Sequence, residues 1–361
     1  MRMLRITALA LAAALAAHPA QAKRRPAIEP FKVLTLNTAG IPLVHAQWPA
    51  RRRAIIKALQ QSNYAIVALQ EVWLDGDAAE IAKASGMPYF ARDNSKPWLG
   101  DGLLVLSRFP IMESHHITFS CEPPLVRKIY QGDSVAGKGA LMVRLNTPGG
   151  ELDVYTTHLV SDYLPADKYL TWRQSQIFEL YEMMTSLSSH RPILLMGDLN
   201  TSPQDAEYNI LGDLLDLQDV CLKRGYDQCG NSDDDELRRV DHILLPSGRR
   251  TMEFDSRLSF TDTLPGSNVS YSDHKGVEAT LDGRIFSLHL DPNRARQVEI
   301  LKDMHDRFAR IAAVFWRRVA ARNWIPVYGA VHELVNIPQI ERLEAVKNRI
   351  ESVLISQYRH Y

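Results

Sequence analysis

Between residues 31 and 281 the chain returns repeatedly to one unit: a short apolar run, too brief for a helix, closed by a polar residue or a turn. The runs are FKVLTLN (31–37), YAIVALQE (64–71), GLLVLS (102–107), GALMVRL (139–145), LDVYTTHL (152–159), ILLMGD (193–198), VDHILL (240–245) and GVEATL (276–281). Near-continuous apolar runs of this length read as strands covered on both faces. Two intervals carry helical spacing instead. Ile55, Ile56 and Leu59 supply it in 49–62, and Trp172, Ile177, Leu180, Met183 and Met184 in 168–187. Other intervals are short turns such as NTPGG (146–150). Strands joined by helices in some places and by turns in others give a mixed-sheet α/β fold.

The two ends of the chain lack this rhythm. Arg2 and Arg5 precede an apolar stretch, Ile6 to Ala17, and Ala20-Gln21-Ala22 follows with a small-x-small pattern. That is the layout of a secretory signal peptide, and the stretch falls short of the roughly 20 residues of a membrane span. Residues 1–22 are expected to be removed, leaving a secreted or periplasmic protein. After Pro292 the β signal fades. Val298, Leu301, Met304, Phe308, Ile311, Phe315 and Val319 form one helical stripe, and Ile340, Leu343, Val346, Ile350 and Leu354 a second. RNWIPVYGAVHELVNIPQ (322–339) is expected to break the two. The expected organisation is therefore a leader (1–22), a main domain (23–284) and a C-terminal helical extension (285–361). The extension has no apolar run near 18 residues, so no transmembrane span is expected. Its first stripe carries Arg307, Arg310, Arg317, Arg318 and Arg322. Two roles stay open for it: packing on the domain, or docking on a lipid surface.

Composition narrows the partners. Basic and acidic residues balance at 42 each, so the polybasic signature of nucleic-acid binding is missing from the sum. The cysteines are Cys121, Cys221 and Cys229. Cys221 and Cys229 lie close together in a polar loop and are the expected pair in an oxidising compartment. No C-x-x-C or Cys/His spacing suggests zinc.

The strands end in a particular chemistry. Asn37 ends the first run, Glu71 the second, and His158 closes DVYTTHL. Asp198 and Asn200 follow ILLMG, Asp241 lies in RRVDHILL, and Asp273 and His274 precede the last run. Each alone has an ordinary use as a turn, cap or satisfied core residue. Together they put only carboxylate, carboxamide and imidazole at the strand ends, where sheet-based α/β domains gather their ligands. Oxygen ligands without cysteine suit a hard cation such as Mg²⁺, for which Mn²⁺ can substitute. Imidazoles beside such a cation can act as base and oxyanion donor, with a carboxylate orienting the base.

The motifs TLNTAGIP, LQEVW, TTHL, GDLN, RRVDHIL and SDH, in this order, resemble the endonuclease/exonuclease/phosphatase superfamily over residues 31–282. The resemblance implies a four-layer α/β sandwich, with two mixed β-sheets face to face and helices outside. It implies that Glu71, with Asn37 nearby, holds Mg²⁺. It further implies that His274 is the general base, that Asp241 orients it and that Asp198 aligns the attacking water. Asn200 and His158 would bind the phosphoryl oxygens, and Asp273 would complete the site at the metal.

Three features are similar to the neutral sphingomyelinase branch: Gly-Ile-Pro after Asn37, Val-Trp after Glu71, and the loop YQGDSVAGKGALMVRL (130–145). In that loop Asp133 and Lys138 stand five residues apart, Lys138 to neutralise lipid phosphate and Asp133 to order the loop. The implied activity is Mg²⁺-dependent hydrolysis of a phospholipid head group at a membrane surface, sphingomyelin to ceramide and phosphocholine. The same centre would serve a secreted DNase, given a basic groove, or an inositol-phosphate phosphatase, given a basic pocket. A non-catalytic membrane effector would have no need of the complete polar set.

Overall fold

The apolar runs become the inner strands of two sheets. The computed structural model describes residues 28–41, 46–92, 100–121, 137–161, 169–223, 226–233, 238–248, 252–321 and 327–358, without the side chains of Tyr226, 318–336 and Tyr358. In chain order the first strands are β1 (Phe31–Asn37), β2 (Tyr64–Gln70), β3 (Tyr89–Arg92), β4 (Leu104–Ser107), β5 (Ile111–Thr118), β6 (Gly139–Thr147) and β7 (Gly150–His158). They are followed by β8 (Ile193–Asp198), β9 (Leu217–Asp219), β10 (Leu222–Lys223), β11 (Tyr226–Asp227), β12 (Asp241–Pro246), β13 (Asp255–Ser259) and β14 (Gly276–Leu281). The helices are α1 (Trp48–Gln61), α2 (Asp75–Ala84), α3 (Leu170–Ser188), α4 (Ala206–Leu215), α5 (Arg294–Ala321) and α6 (Val327–Tyr358).

One six-stranded sheet has the order β13-β14-β1-β2-β4-β3 and the other β5-β6-β7-β8-β12-β9. Both are mixed. β1 runs parallel to β2 and antiparallel to β14, and β8 runs parallel to β7 and antiparallel to β12. Because strand side chains alternate faces, each inner strand serves two cores. Val33, Ile66 and Val105 of the first sheet meet Val143, Val154, Met196 and Ile243 of the second in the core between the sheets. Leu34, Leu36, Val67 and Leu69 face outward onto Ile55, Leu59 and Ile81 of α1 and α2. Met142, Tyr155 and Leu195 face outward onto Ile177, Leu180 and Leu211 of α3 and α4. The result is the four-layer α/β sandwich expected.

The C-terminal helices continue the outer layer. Leu301, Met304 and Phe308 of α5 and Leu343, Val346 and Ile350 of α6 are buried in the same cluster as α3 and α4. Both stripes therefore pack on the domain. Arg349 Nη2 lies 3.5 Å from Glu179 Oε1 of α3, and Arg342 Nη1 donates to Ser120 O at 3.3 Å. No described helix is long and apolar enough to cross a membrane. The expected break over 322–339 is corrected: α6 starts at Val327 and runs through Pro338. A proline inside a helix forfeits a hydrogen bond at about 3 kcal/mol, which burial of Leu343, Val346 and Ile350 offsets.

Candidate active site

Strand parity aims the polar strand ends at one another. Asn37 shares the face of Val33, His158 that of Val154, Asp198 that of Met196 and Asp241 that of Ile243, all pointing between the sheets. Asp198 stands in register with His158 on one side and Asp241 on the other. One layer deeper, Gln70 Nε2 donates to Thr156 Oγ1 at 3.0 Å and to Thr35 Oγ1 at 3.1 Å, so polar residues cross the core beneath the site.

Asp241 and His274 form a close pair. His274 Nδ1 is 2.8 Å from Asp241 Oδ2. The other ring nitrogen, Nε2, faces Asp198 Oδ2 across 4.0 Å. Burial disfavours a charged His274, but Asp241, with Asp198 and Asp273, outweighs it and holds the imidazole well above the usual histidine range. Burial, then the charge of Asp241, pushes the Asp198 carboxyl up to about 7. Asp198 accepts from Asn37 Nδ2 at 2.9 Å and from the Asn200 backbone N–H at 2.9 Å. Asn37 Nδ2 also lies 3.1 Å from Glu71 Oε1, so one amide joins Glu71 to Asp198.

His158 is the opposite case. Burial, then the positive charge of Lys138 and of His274, holds it well below the usual histidine range, so the ring is neutral near pH 7. Lys138 Nζ lies 2.7 Å from His158 Nε2, and the lysine is itself 3% exposed. The structure thus brings Lys138 inside the site, whereas Asp133 lies outside the described residues. Asn200 anchors its side chain by donating Nδ2–H to Leu159 O at 2.8 Å. Asp273 is half-buried at the rim, its Oδ1 lying 3.1 Å from Ser272 Oγ.

The backbone under the site is strained in places. Glu71 has φ 61° and Asn200 φ 47°, a left-handed conformation that costs a non-glycine residue about 1–3 kcal/mol and marks functional positions. Gly102, at φ +73°, permits the turn at Glu71: a Cβ there would lie 3.2 Å from Glu71 Cα and 2.9 Å from the Trp73 ring. Sequence reasoning missed the hydroxyls that hold the site. Ser272 Oγ donates to Asn37 O at 2.7 Å, and Ser232 Oγ accepts from the Val240 and Asp241 N–H groups at 3.1 Å each. A lone serine in a polar loop carries no signal of such a role.

The donor set fits a divalent cation. Asp198, Asp241 and His274 offer ligand atoms all within 4.8 Å of one another. Asp241 Oδ1 is buried without a hydrogen-bond partner. Crowded buried carboxylates demand positive charge, and hard oxygen donors suit Mg²⁺-like ions. Glu71, joined to Asp198 through Asn37, offers a carboxylate that would hold the cation beside this group and leave His274 and Asp241 unligated. The other gathering of candidate ligands, Cys221, Asp227 and Cys229, fails the same test. Its sulfurs are joined in a disulfide, as expected for that pair, and no thiolate remains to bind a metal.

Residues 34–274 match the Endonuclease/Exonuclease/phosphatase family. The chain belongs to that family. A Drosophila melanogaster protein named "Putative neutral sphingomyelinase" is 31% identical over 275 residues, 72% of this chain and 61% of that protein. A Caenorhabditis elegans protein of the same name is 26% identical over 350 residues, 83% of this chain and 80% of its own length. The chain thus spans less than two thirds of the Drosophila relative. The fold likeness extends to the crystal structure of SmcL, at TM-score 0.59 and 19% identity, covering 70% of this chain and 99% of that one. Family and relatives agree on a sphingomyelinase-like branch of that family, and the donor set is one that suits a metal ion.

Proposed function

We propose that the protein is an exported, Mg²⁺-dependent sphingomyelin phosphodiesterase of the C type, releasing ceramide and phosphocholine at a membrane surface. The observation that carries the reading is the His274–Asp241 bond, with Nε2 left facing Asp198 across 4.0 Å. A water in that space is within reach of both groups. His274 Nε2 takes its proton, and Asp241 fixes the ring by accepting Nδ1–H. Asp198 Oδ2 accepts the water's second hydrogen and aims its lone pair at phosphorus. Attack is in line with the bond to the ceramide oxygen; that P–O bond breaks, the departing alkoxide takes a proton from solvent water to leave as the alcohol, and His274 returns its proton to solvent.

Neutral His158 and the free amide hydrogen of Asn200 donate to the phosphoryl oxygens, and Lys138 supplies positive charge beside them. Glu71, with Asn37 and Asp273, would hold Mg²⁺, or Mn²⁺ in its place. When bound, the cation supplies Lewis-acid polarisation of the phosphoryl and leaving oxygens, and its charge lowers the proton affinity of His274.

Support for a lipid substrate comes from the relatives' names and from the GIP, VW and Asp133/Lys138 features. The buried disulfide supports export, with residues 1–22 as the leader. The test supplies Mg²⁺ and the chain from Lys23 onward with sphingomyelin, phosphatidylcholine, lysophospholipids, inositol phosphates and plasmid DNA in parallel. Phosphocholine release fastest from sphingomyelin is expected. Plasmid nicking or inorganic phosphate release, without phosphocholine, would replace this reading with a nuclease or a phosphatase.

A further inference from the structure

The proposed base pair poses a mechanical problem. Asp241 opens β12 in one sheet, whereas His274 precedes β14 in the other. Among the described residues no strand ladder joins the sheets, so ladder bonds do not set the distance between the two residues. We infer that Arg239 is a positioning residue for this pair, acting through the disulfide-closed segment 219–229; the inference rests on the function proposed above.

The segment is built as a clamp. Asp219-Val220-Cys221 and Asp227-Gln228-Cys229 repeat one pattern. In each, the aspartate Oδ1 accepts the N–H of the cysteine two residues on, at 2.8 Å and 3.0 Å. In each, the other oxygen is turned onto Arg239: Nη1 donates to Asp219 Oδ2 at 2.8 Å, and Nε donates to Asp227 Oδ2. The Cys221–Cys229 bond holds the two carboxylates on either side of a single guanidinium, whose planar fork suits two acceptors at fixed angles. Arg239 is 3% exposed and stands two residues before Asp241.

The far side of Asp241 is held as well. His242 Nδ1 lies 2.8 Å from Arg239 Nη1 and 2.9 Å from Asp219 Oδ2, and Nε2 donates to Thr201 O at 2.8 Å, next to Asn200. The chain leaving the disulfide then reaches both sheets. Ser232 Oγ accepts the Asp241 N–H at 3.1 Å, and Ser232 O accepts the Lys275 N–H at 2.7 Å, beside His274. Asp233 forms a bridge with His274 itself. One segment therefore fixes both members of an inter-sheet hydrogen bond. The competing account is a cluster that only stabilises, although buried ion clusters are weak sources of net stability.

The test uses the chain from Lys23 onward, Mg²⁺ and a soluble chromogenic phosphodiester. Arg239→Met leaves Asp219 buried without its guanidinium partner and can fail to fold, so Asp227→Asn decides, its side chain being 25% exposed. A displacement of about 1 Å at a reacting centre costs about 10²-fold. Asp227→Asn is therefore expected to lower kcat by about 10- to 100-fold with KM and melting temperature little changed. Arg239→Lys should fall between it and the wild type, and Cys221→Ser/Cys229→Ser should show the same split. The proton resonance of His274 Nδ1–H, which needs no turnover, should shift in Asp227→Asn. An unchanged kcat, or a loss proportional to the unfolded fraction, overturns the inference. An unmoved His274 resonance overturns it even if no phosphodiester is hydrolysed, an outcome that separately refutes the proposed function.

Discussion

Replacing Asp198 by asparagine should stabilise the metal-free protein at alkaline pH and inactivate it. The Asp198 carboxyl is raised from 3.8 to about 7, by burial first and by Asp241 second. Between those values the folded chain keeps a proton that the unfolded chain has lost. Metal-free stability therefore falls as pH rises through this window, and the whole penalty is present above it. Holding that proton from 3.8 to about 7 is worth on the order of 4 kcal/mol. Asn cannot ionise and escapes the penalty. The substitution has its own cost, because Asn37 Nδ2 donates to Asp198 Oδ2 at 2.9 Å and would then face a second N–H donor. That clash is worth about 1–3 kcal/mol, whereas the Asn200 N–H keeps its acceptor. The net gain at pH 8 is about 1–3 kcal/mol, or a few degrees at about 2–4 °C per kcal/mol. At pH 5 the gain shrinks or reverses. Thermal unfolding in EDTA across this range reads it. Mg²⁺ should then raise the melting temperature of the wild type more than that of the variant, because the cation relieves the same charge. A shift independent of pH, or a lower melting temperature at pH 8, would refute the electrostatic reasoning.

Three further outcomes are expected. His274→Ala should cost about 10²–10⁴ in kcat, with Asp241→Asn milder because the imidazole remains; a His274→Ala variant keeping more than about a tenth of the activity would remove the base role. EDTA should abolish turnover and Mg²⁺ or Mn²⁺ restore it, while Glu71→Gln shifts the metal titration to higher concentration, since a neutral amide is a poorer ligand for a hard cation. Phe308→Ala, at a fully buried position of α5, should lose about 3–5 kcal/mol, and a chain ending at Arg284 should lose soluble and vesicle turnover together. Full soluble activity at an unchanged melting temperature in that shortened chain would restore lipid docking as the work of the extension.

What the sequence by itself determined is the interior. The apolar runs became β1, β2, β4, β6, β7, β8, β12 and β14, and these are the strands flanked on both sides in their sheets. A strand with a neighbour on each edge and a core on each face has to be apolar throughout, so it announces itself. The edge strands β3, β5, β9 and β13 were not legible. β5, IMESHHIT, alternates between half-buried and exposed, and polar edges of this kind guard against pairing with other chains. Asn37, Glu71, His158, Asp198, Asn200, Asp241 and His274 were legible as candidates because carboxylate, carboxamide and imidazole side chains are an unusual ending for a buried strand.

Only the tertiary structure decided how those residues meet. Parity along each strand selects a face, but pairing β8 with β7 and β12 brings His158 and Asp241 beside Asp198. That register depends on long-range packing that no local window contains. Lys138 read as a loop residue facing lipid phosphate until the fold placed it on His158, where burial first, and then the charge of Lys138, keeps the ring neutral. Arg239 and Ser232 looked like ordinary loop polarity. Their partners lie up to 43 residues away along the chain, at Asp219, Asp227 and Lys275. Sequence states which groups are present; a buried charge acquires its role only from the neighbours that folding supplies, because burial and proximity set its proton affinity and its geometry.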